Sequence, residues 1–303
     1  MALISIALAT YNGEKYIEEQ IKSILNQSFQ DFEIVVQDDC STDKTYDILK
    51  KLATIDNRIY LQKNDSNLGF AKNFEKIVSE CKGKFIAFSD QDDIWEEKHL
   101  EILLSIIGEK DMACGNSLLV DQYNNSLGYT MKEVVGIENE PSKEGMQWRL
   151  FFDNFVQGTA MLVKKELCDK YLPVPEVVKY HDYWLALVAS LNNGIAYTSE
   201  ILLRYRQHGN NVTTNIKGTL FREVYNAFNG FNRKHFLRQV EILSCLEKVV
   251  GDVQEINEAK KFYIDCSRRK ISNTDLKYFK DHYFEMFFTE KYYFLRKFIY
   301  LYM

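Results

Sequence analysis

The sequence predicts an α/β fold: a mostly parallel central sheet flanked by helices, followed by a helical C-terminal extension. Three observations carry this. Short apolar runs alternate with helical periodicity four times in the first 110 residues. Runs apolar on both faces belong to parallel sheets covered on both sides. All three prolines (Pro141, Pro173, Pro175) precede a long stretch, 216–303, that reads as helix throughout.

The elements follow in order. Leu3 to Ala9 forms a buried strand, and Ile17, Ile21, Ile24 and Leu25 then keep helical spacing. Phe32 to Val36 is a second strand, followed by a helix carrying Tyr46, Leu49, Leu52 and Ala53. Ile59 to Leu61 is a short third strand. After Asn67-Leu68-Gly69, a helix carries Phe70, Phe74, Ile77, Val78 and Cys81. Phe85 to Phe88 is the fourth strand, and Leu100, Leu103, Leu104 and Ile107 mark the next helix. Beyond it the pattern loosens. Strands are expected at Met112 to Val120, Phe155 to Val163, Gly194 to Thr198 and Ile201 to Tyr205, with a helix starting near His181. Residues 121–147 read as loop. The division is therefore an α/β domain over 1–215, with halves at 1–110 and 111–215, and a helical region over 216–303.

The net charge of −5 argues against nucleic acid as a partner, but it hides an asymmetry. Residues 1–215 hold 22 Lys/Arg against 32 Asp/Glu, and residues 216–303 hold 16 against 11. The six cysteines show neither a C-x-x-C pair nor zinc spacing, which suits a reduced compartment. Met1 to Thr10 lacks the charged lead-in and length of a signal peptide. No run approaches the roughly 18 apolar residues of a membrane span. The expectation is a cytoplasmic protein or one peripheral at the inner face of the cell membrane.

In open α/β sheets ligands bind beyond the carboxyl ends of the strands. Here those positions hold Thr10-Tyr11-Asn12, Asp38-Asp39 and Ser89-Asp90-Gln91-Asp92-Asp93. Crowded aspartates repel one another unless a cation neutralises them, and Mg2+ or Mn2+ suits such oxygen ligands. A helix dipole would account for one acid at this point but poorly for three of four residues. After the second strand, Ser41, Thr42 or Asp43 can cap the next helix. Asp38-Asp39 are not needed for that, and one of them can accept the imide N–H of a uracil or thymine. Asp182, in His181-Asp182-Tyr183-Trp184, is either a helix cap or a base separate from the acidic cluster. Arg204-Tyr205-Arg206-Gln207-His208 can offer positive charge and imidazole to a diphosphate, or be ordinary surface basicity. The absence of G-x-G-x-x-G after the first strand and of any G-x-x-x-x-G-K-[ST] argues against dehydrogenases and P-loop enzymes.

Together, Ala9-Thr10-Tyr11-Asn12-Gly13, Gln27-Ser28-Phe29, Asp38 to Asp43, Asn67-Leu68-Gly69 and Ser89 to Trp95 resemble glycosyltransferase family 2, inverting enzymes of the Rossmann-like GT-A fold. The D-Q-D-D-I-W form, with H-D-Y-W and Y-R-Q-H, is most similar to bacterial rhamnosyltransferases of cell-surface polysaccharide assembly. The resemblance implies that Thr10, Tyr11, Asn12 and Asp39 hold the nucleoside of the donor, with the Tyr11 ring against the base. It implies that Asp92 ligates the metal, with Asp90 near the ribose or metal, and that Arg206 and His208 contact the diphosphate or metal. It further implies that Gly158 lies close to the donor sugar and that Asp182 is the general base. The implied partners are dTDP-rhamnose or, second, a UDP-sugar as donor, and a glycan or lipid-linked oligosaccharide as acceptor. Two departures stand out. Cys40 replaces a common Gly or Asn, which would make nucleotide binding sensitive to thiol reagents, and Glu96-Glu97 replaces a frequent Leu-Pro and changes only the helix start.

A sugar-nucleotide-forming nucleotidyltransferase would need a Gly-rich basic loop after the first strand, which Ala9 to Gly13 does not offer. A non-catalytic sugar-nucleotide-binding scaffold is the rival without activity, and Asp92, Asp182 and His208 argue against it. Twelve of the residues from Tyr278 to Tyr302 are Phe or Tyr, interleaved with Lys and Arg. Two readings stand for this tail: helices packing on the catalytic domain or on a second subunit of a homo-oligomer, or an amphipathic helix on an anionic membrane surface.

Overall fold

The computed structural model describes residues 2–137, 141–209, 231–287 and 301. They fall into two compact units: 2–131, 156–174 and 179–209 in the first, and 132–137, 141–155, 175–178, 231–287 and 301 in the second. The expected boundary at 215 and most of the aromatic tail, 288–300, lie outside the described residues. Among those described, no helix is long and apolar enough to cross a membrane.

The first unit is built on one sheet. Strands β1 (Ile4–Thr10), β2 (Phe32–Asp38), β3 (Ile59–Lys63) and β4 (Phe85–Ser89) run in the order β3-β2-β1-β4, all parallel. Ile4, Ile6, Ala7 and Leu8 of β1 have no exposed surface because helices cover both faces. Helix α1 (Ile17–Leu25) turns Ile17, Ile21 and Ile24 inward, and α2 (Thr45–Ile55) contributes Leu49. Helix α3 (Phe70–Glu80) buries Phe74, Ile77 and Val78, and α4 (His99–Ile107) buries Leu100, Leu103 and Ile107. These are the positions that helical periodicity assigns to the core.

The sheet continues through β4-β8-β6-β9-β5, with β7 paired to β6: β5 (Ile94–Trp95), β6 (Met112–Val120), β7 (Ser126–Thr130), β8 (Met161–Lys164) and β9 (Ile195–Arg206). Strand β8 is antiparallel to both β4 and β6, while β9 is parallel to β6 and antiparallel to β5. The structure corrects several expectations here. The strands expected at Gly194 to Thr198 and Ile201 to Tyr205 are one strand, β9, which absorbs the irregularity as register shifts against β6. The apolar run from Phe155 is strand only from Met161, since Gly158–Ala160 forms a single 3-10 turn. The stretch expected as loop at 121–147 contains β7, a short helix α5 (Met131–Val135) and the start of α6 (Lys143–Phe152). The Ser142 side chain caps α6 by accepting the Gly145 N–H at 3.0 Å. Helix α7 (Lys165–Tyr171) was not expected, and α8 (His181–Leu191) begins at the expected residue.

The second unit is helical: α6 together with α9 (Phe231–Val250), α10 (Gln254–Arg268) and α11 (Asn273–Phe287). Its interior is aromatic, with Phe236 stacked on Tyr263 at 5.6 Å and Phe262 on Tyr278 at 4.6 Å. Phe279 and Tyr283 are buried within this bundle, while Phe284 is 40% exposed.

Strand direction decides where the functional residues emerge. Register pairs Thr10 with Asp38 and Leu8 with Ser89, so β1, β2 and β4 end at the same edge. The antiparallel β8 starts at that edge, bringing residues 158–160 to it, and β6 carries Val120 beside Arg206 of β9. Just past β2, Cys40 holds φ at +65°, a left-handed conformation that a side chain disfavours and glycine does not. Cys40→Gly is expected to raise stability by about 0.5–1 kcal/mol. Urea unfolding measures this, and an unchanged or lower midpoint contradicts it.

Candidate active site

The loops after β1 and β2 are stitched into one piece. The Asn12 N–H donates to Ser41 Oγ at 2.9 Å, and the Asn12 Oδ1 accepts the Thr42 N–H at 2.9 Å. The Gly13 N–H donates to Thr45 Oγ1 at 2.7 Å, and the Lys44 N–H to Glu14 Oε2 at 2.9 Å. Asn12 accepts a left-handed φ of 51° to do this.

The two aspartates after β2 have divided roles. Asp38 accepts the Ser41 N–H at 2.9 Å, the Ser41 hydroxyl at 2.5 Å and the Thr10 hydroxyl at 3.2 Å, so it closes its own loop. Asp39 is 3% exposed and faces the next segment. It accepts Asn64 Nδ2 at 2.7 Å, the Leu68 N–H at 2.8 Å and the Gly69 N–H at 2.9 Å. A carboxylate offers about four lone-pair sites, so Asp39 can take one further donor. Behind it, Asn64 is fixed by Gln37, Asn73 and Lys76, at 2.8–2.9 Å each.

Tyr11 leaves 46% of its surface exposed, and its backbone is gripped by a residue that sequence reasoning did not select. Gln91 accepts the Tyr11 N–H at 2.8 Å and returns its own amide N–H to the Tyr11 carbonyl at 3.0 Å. This ties the acidic loop to the loop after β1. A β-carbon on Gly13 would lie 2.2 Å from the Gln91 oxygen, so the pairing needs a glycine there.

Four carboxyls share the acidic side. Asp92 Oδ2 lies 2.8 Å from His208 Nε2. Asp90 is pushed up to about 8, by burial first and then by the charges of Asp92 and Asp182. Asp93 is held well above the usual carboxylate range by burial, then by Asp92 and Asp90, and its Oδ2 is buried with no hydrogen-bond partner among the described residues. Arg206 is 2% exposed and packs against this loop. Its Nε donates to the Asp92 carbonyl at 2.8 Å, its Nη1 to the Gln122 carbonyl at 3.1 Å and its Nη2 to Glu19 at 2.8 Å. Its backbone N–H donates to Asp93 at 3.2 Å.

Gly158 and Asp182 meet on the remaining side. A β-carbon on Gly158 would lie 3.5 Å from the Asp182 Cβ and 3.7 Å from its Oδ2. The neighbouring His181 is packed among Phe88, Phe74 and Phe70, and among the described residues neither ring nitrogen has a hydrogen-bond partner. Burial lowers its pKa to about 3.

Asp92 and His208 supply adjacent oxygen and nitrogen atoms, two of the donors a divalent cation would need. Among the described residues no group of three or more His, Cys, Asp or Glu could close around an ion. Water and phosphate oxygens would therefore complete its shell, as Mg2+-type ions favour.

Residues 5–172 match the family described as Glycosyl transferase family 2. The chain is 28% identical over 271 residues to the dTDP-rhamnosyl transferase RfbG of Shigella flexneri, covering 85% of this chain and 89% of that protein. Its fold is similar to that of S. aureus TarS 1-349 in complex with UDP-GlcNAc, with a TM-score of 0.61 at 20% identity over 93% of this chain and 78% of that one. It is also similar to the mannosyltransferase PcManGT of Pyrobaculum calidifontis in complex with GDP-Man and Mn2+, with a TM-score of 0.53 at 14% identity over 94% and 85% of the two chains. Both likenesses support the GT-A fold.

The buried imidazole gives a pH signature. Below 6.5 the unfolded His181 takes a proton that the folded one refuses until about 3. Across that window it removes about 1.4 kcal/mol of stability per pH unit as pH falls. His181→Phe is expected to make the loss of stability between pH 6 and pH 4 shallower by about that amount. Equal slopes in urea unfolding contradict it.

Proposed function

Because the chain belongs to glycosyl transferase family 2, we propose that it is an inverting, cation-assisted glycosyltransferase of bacterial cell-surface polysaccharide synthesis. Its donor is read as dTDP-rhamnose and its acceptor as a glycan or lipid-linked oligosaccharide. One observation carries the reading. A single sheet edge gathers a carboxylate with room for a base N–H (Asp39), an Asp–His pair suited to a cation (Asp92, His208) and a carboxylate beside a side-chain-free patch (Asp182, Gly158).

The roles follow from placement. Tyr11 offers its exposed ring to the base, and Asp39 accepts the imide N–H. Thr10 and Asn12 act at one remove, by holding Asp38 and the Ser41-Thr42 turn. Gly158 leaves space for the donor sugar next to Asp182. Asp182 takes the proton of the acceptor hydroxyl as that oxygen attacks the anomeric carbon, and a single displacement inverts the centre. A divalent ion on Asp92 and His208, Mn2+ or Mg2+, would offset the charge building on the leaving diphosphate. Arg206 serves this site by fixing the Asp92 backbone, and Asp90 stands beside the ribose or cation.

A UDP-sugar is the second reading, because uracil and thymine present the same imide N–H to Asp39. RfbG carries a dTDP-rhamnosyl description and TarS binds UDP-GlcNAc, so each donor has a similar protein behind it.

Asp182→Asn is expected to cut transfer by roughly 10²–10⁴, while dTDP or UDP binding in the presence of Mn2+ holds. Turnover that survives this change removes Asp182 from the role. Asp92→Ala is expected to abolish the Mn2+-dependent part of the thermal stabilisation by dTDP or UDP. An unaltered Mn2+ dependence counts against Asp92 as a ligand.

A further inference from the structure

His181 opens α8 one residue before Asp182, and it is 4% exposed. The rings of Phe88 and Phe74 are centred 4.5 Å from the imidazole, and that of Phe70 5.5 Å. Among the described residues neither Nδ1 nor Nε2 has a hydrogen-bond partner. A buried polar group without a partner is destabilising, and an apolar ring would fill the same aromatic box without that cost. Packing therefore accounts for a ring at this position but not for its nitrogens.

Nε2 borders the Gly158 patch. A β-carbon on Gly158 would lie 3.2 Å from it, closer than the 3.5 Å to Asp182 Cβ and the 3.7 Å to Asp182 Oδ2. Gly158 is not in the left-handed region, so what its lack of a side chain provides is space, next to one imidazole nitrogen and one carboxylate. The turn holding that space is itself fixed. The Ser117 hydroxyl donates to Gln157 Oε1 at 2.6 Å, and the Ala160 N–H donates to the Gln157 carbonyl at 3.0 Å. Burial keeps the imidazole neutral, with one N–H and one bare nitrogen. A hydroxyl both donates and accepts, so it matches Nε2 in either tautomer.

We infer that His181 reads the donor sugar: its Nε2 hydrogen-bonds a hydroxyl of the ring that settles over Gly158, while Asp182 beside it serves the acceptor. The inference rests on the reading of Gly158 as the donor-sugar side of the site.

The test is calorimetric titration of the full chain, with Mn2+ present, by dTDP, dTDP-rhamnose, UDP and UDP-glucose. The readout is the affinity of a sugar nucleotide relative to its own nucleoside diphosphate, a ratio that a merely structural role would leave alone. His181→Phe keeps a ring in the aromatic box. It is expected to lower that ratio roughly 3–10-fold, with the nucleoside diphosphate bound as in the native chain. A second arm begins from the native chain itself. Among the deoxy analogues of the sugar nucleotide that binds, one is expected to bind roughly 3–10-fold more weakly than the parent, and His181→Phe is expected not to tell the two apart. If the ratio is unchanged in His181→Phe, or no deoxy analogue loses affinity for the native chain, the inference falls and the donor reading stands. If the native chain binds neither sugar nucleotide, the donor reading falls and the inference with it.

Discussion

Negative charge packed at the carboxyl edge of the sheet is the constraint around which the first unit is arranged. Six carboxyls, Asp38, Asp39, Asp90, Asp92, Asp93 and Asp182, are delivered there by strand direction and the start of α8. Buried carboxylates are costly unless donors meet them. Most of the local hydrogen bonding answers that cost. Ser41 serves Asp38, the Asn64 amide with two backbone N–H groups serves Asp39, and His208 with Arg206 serves Asp92 and Asp93. Burial and the neighbouring charges nonetheless drive two of these carboxyls upward, Asp90 and Asp93.

The first half of the fold was legible because its physics is local. A strand covered by helices on both faces must be apolar, and each helix must show a 3.6-residue stripe, so β1, β2, β4 and the helices beside them are written plainly. The second half obeys other rules. Strand β7 has no buried residue, so no alternation marks it. The run Phe155 to Val163 is apolar on both sides of a turn, and hydropathy does not register the break at Gly158. Helix α7, seven residues long, is too short for its stripe of Leu167, Cys168 and Tyr171 to stand out.

The site was legible as chemistry and not as contact. Residue type and place after a strand point to Asp38-Asp39 and to Asp90 to Asp93, and the family resemblance narrows these to Asp39 and Asp92 and adds Asp182 and His208. They do not reveal that Arg206 spends its guanidinium on a backbone carbonyl and on Glu19, or that Asn12 clips one loop to another. Gln91 stands in plain view between two acids, yet its bidentate grip on Tyr11 is a matter of three-dimensional reach. Cys40 is an intermediate case. Its departure from Gly or Asn is readable in sequence, and the positive φ supplies the physical reason those residues suit the position.

The stitching of residues 12–14 to residues 41–45 has a consequence for chimeras. Because Asn12, Gly13 and Glu14 each bond across to the other loop, neither segment can drift by itself. A change in one leaves a donor or acceptor stranded in the other. A chimera that imports one of the two stretches, about thirty residues apart in the chain, from a relative therefore has to transplant both.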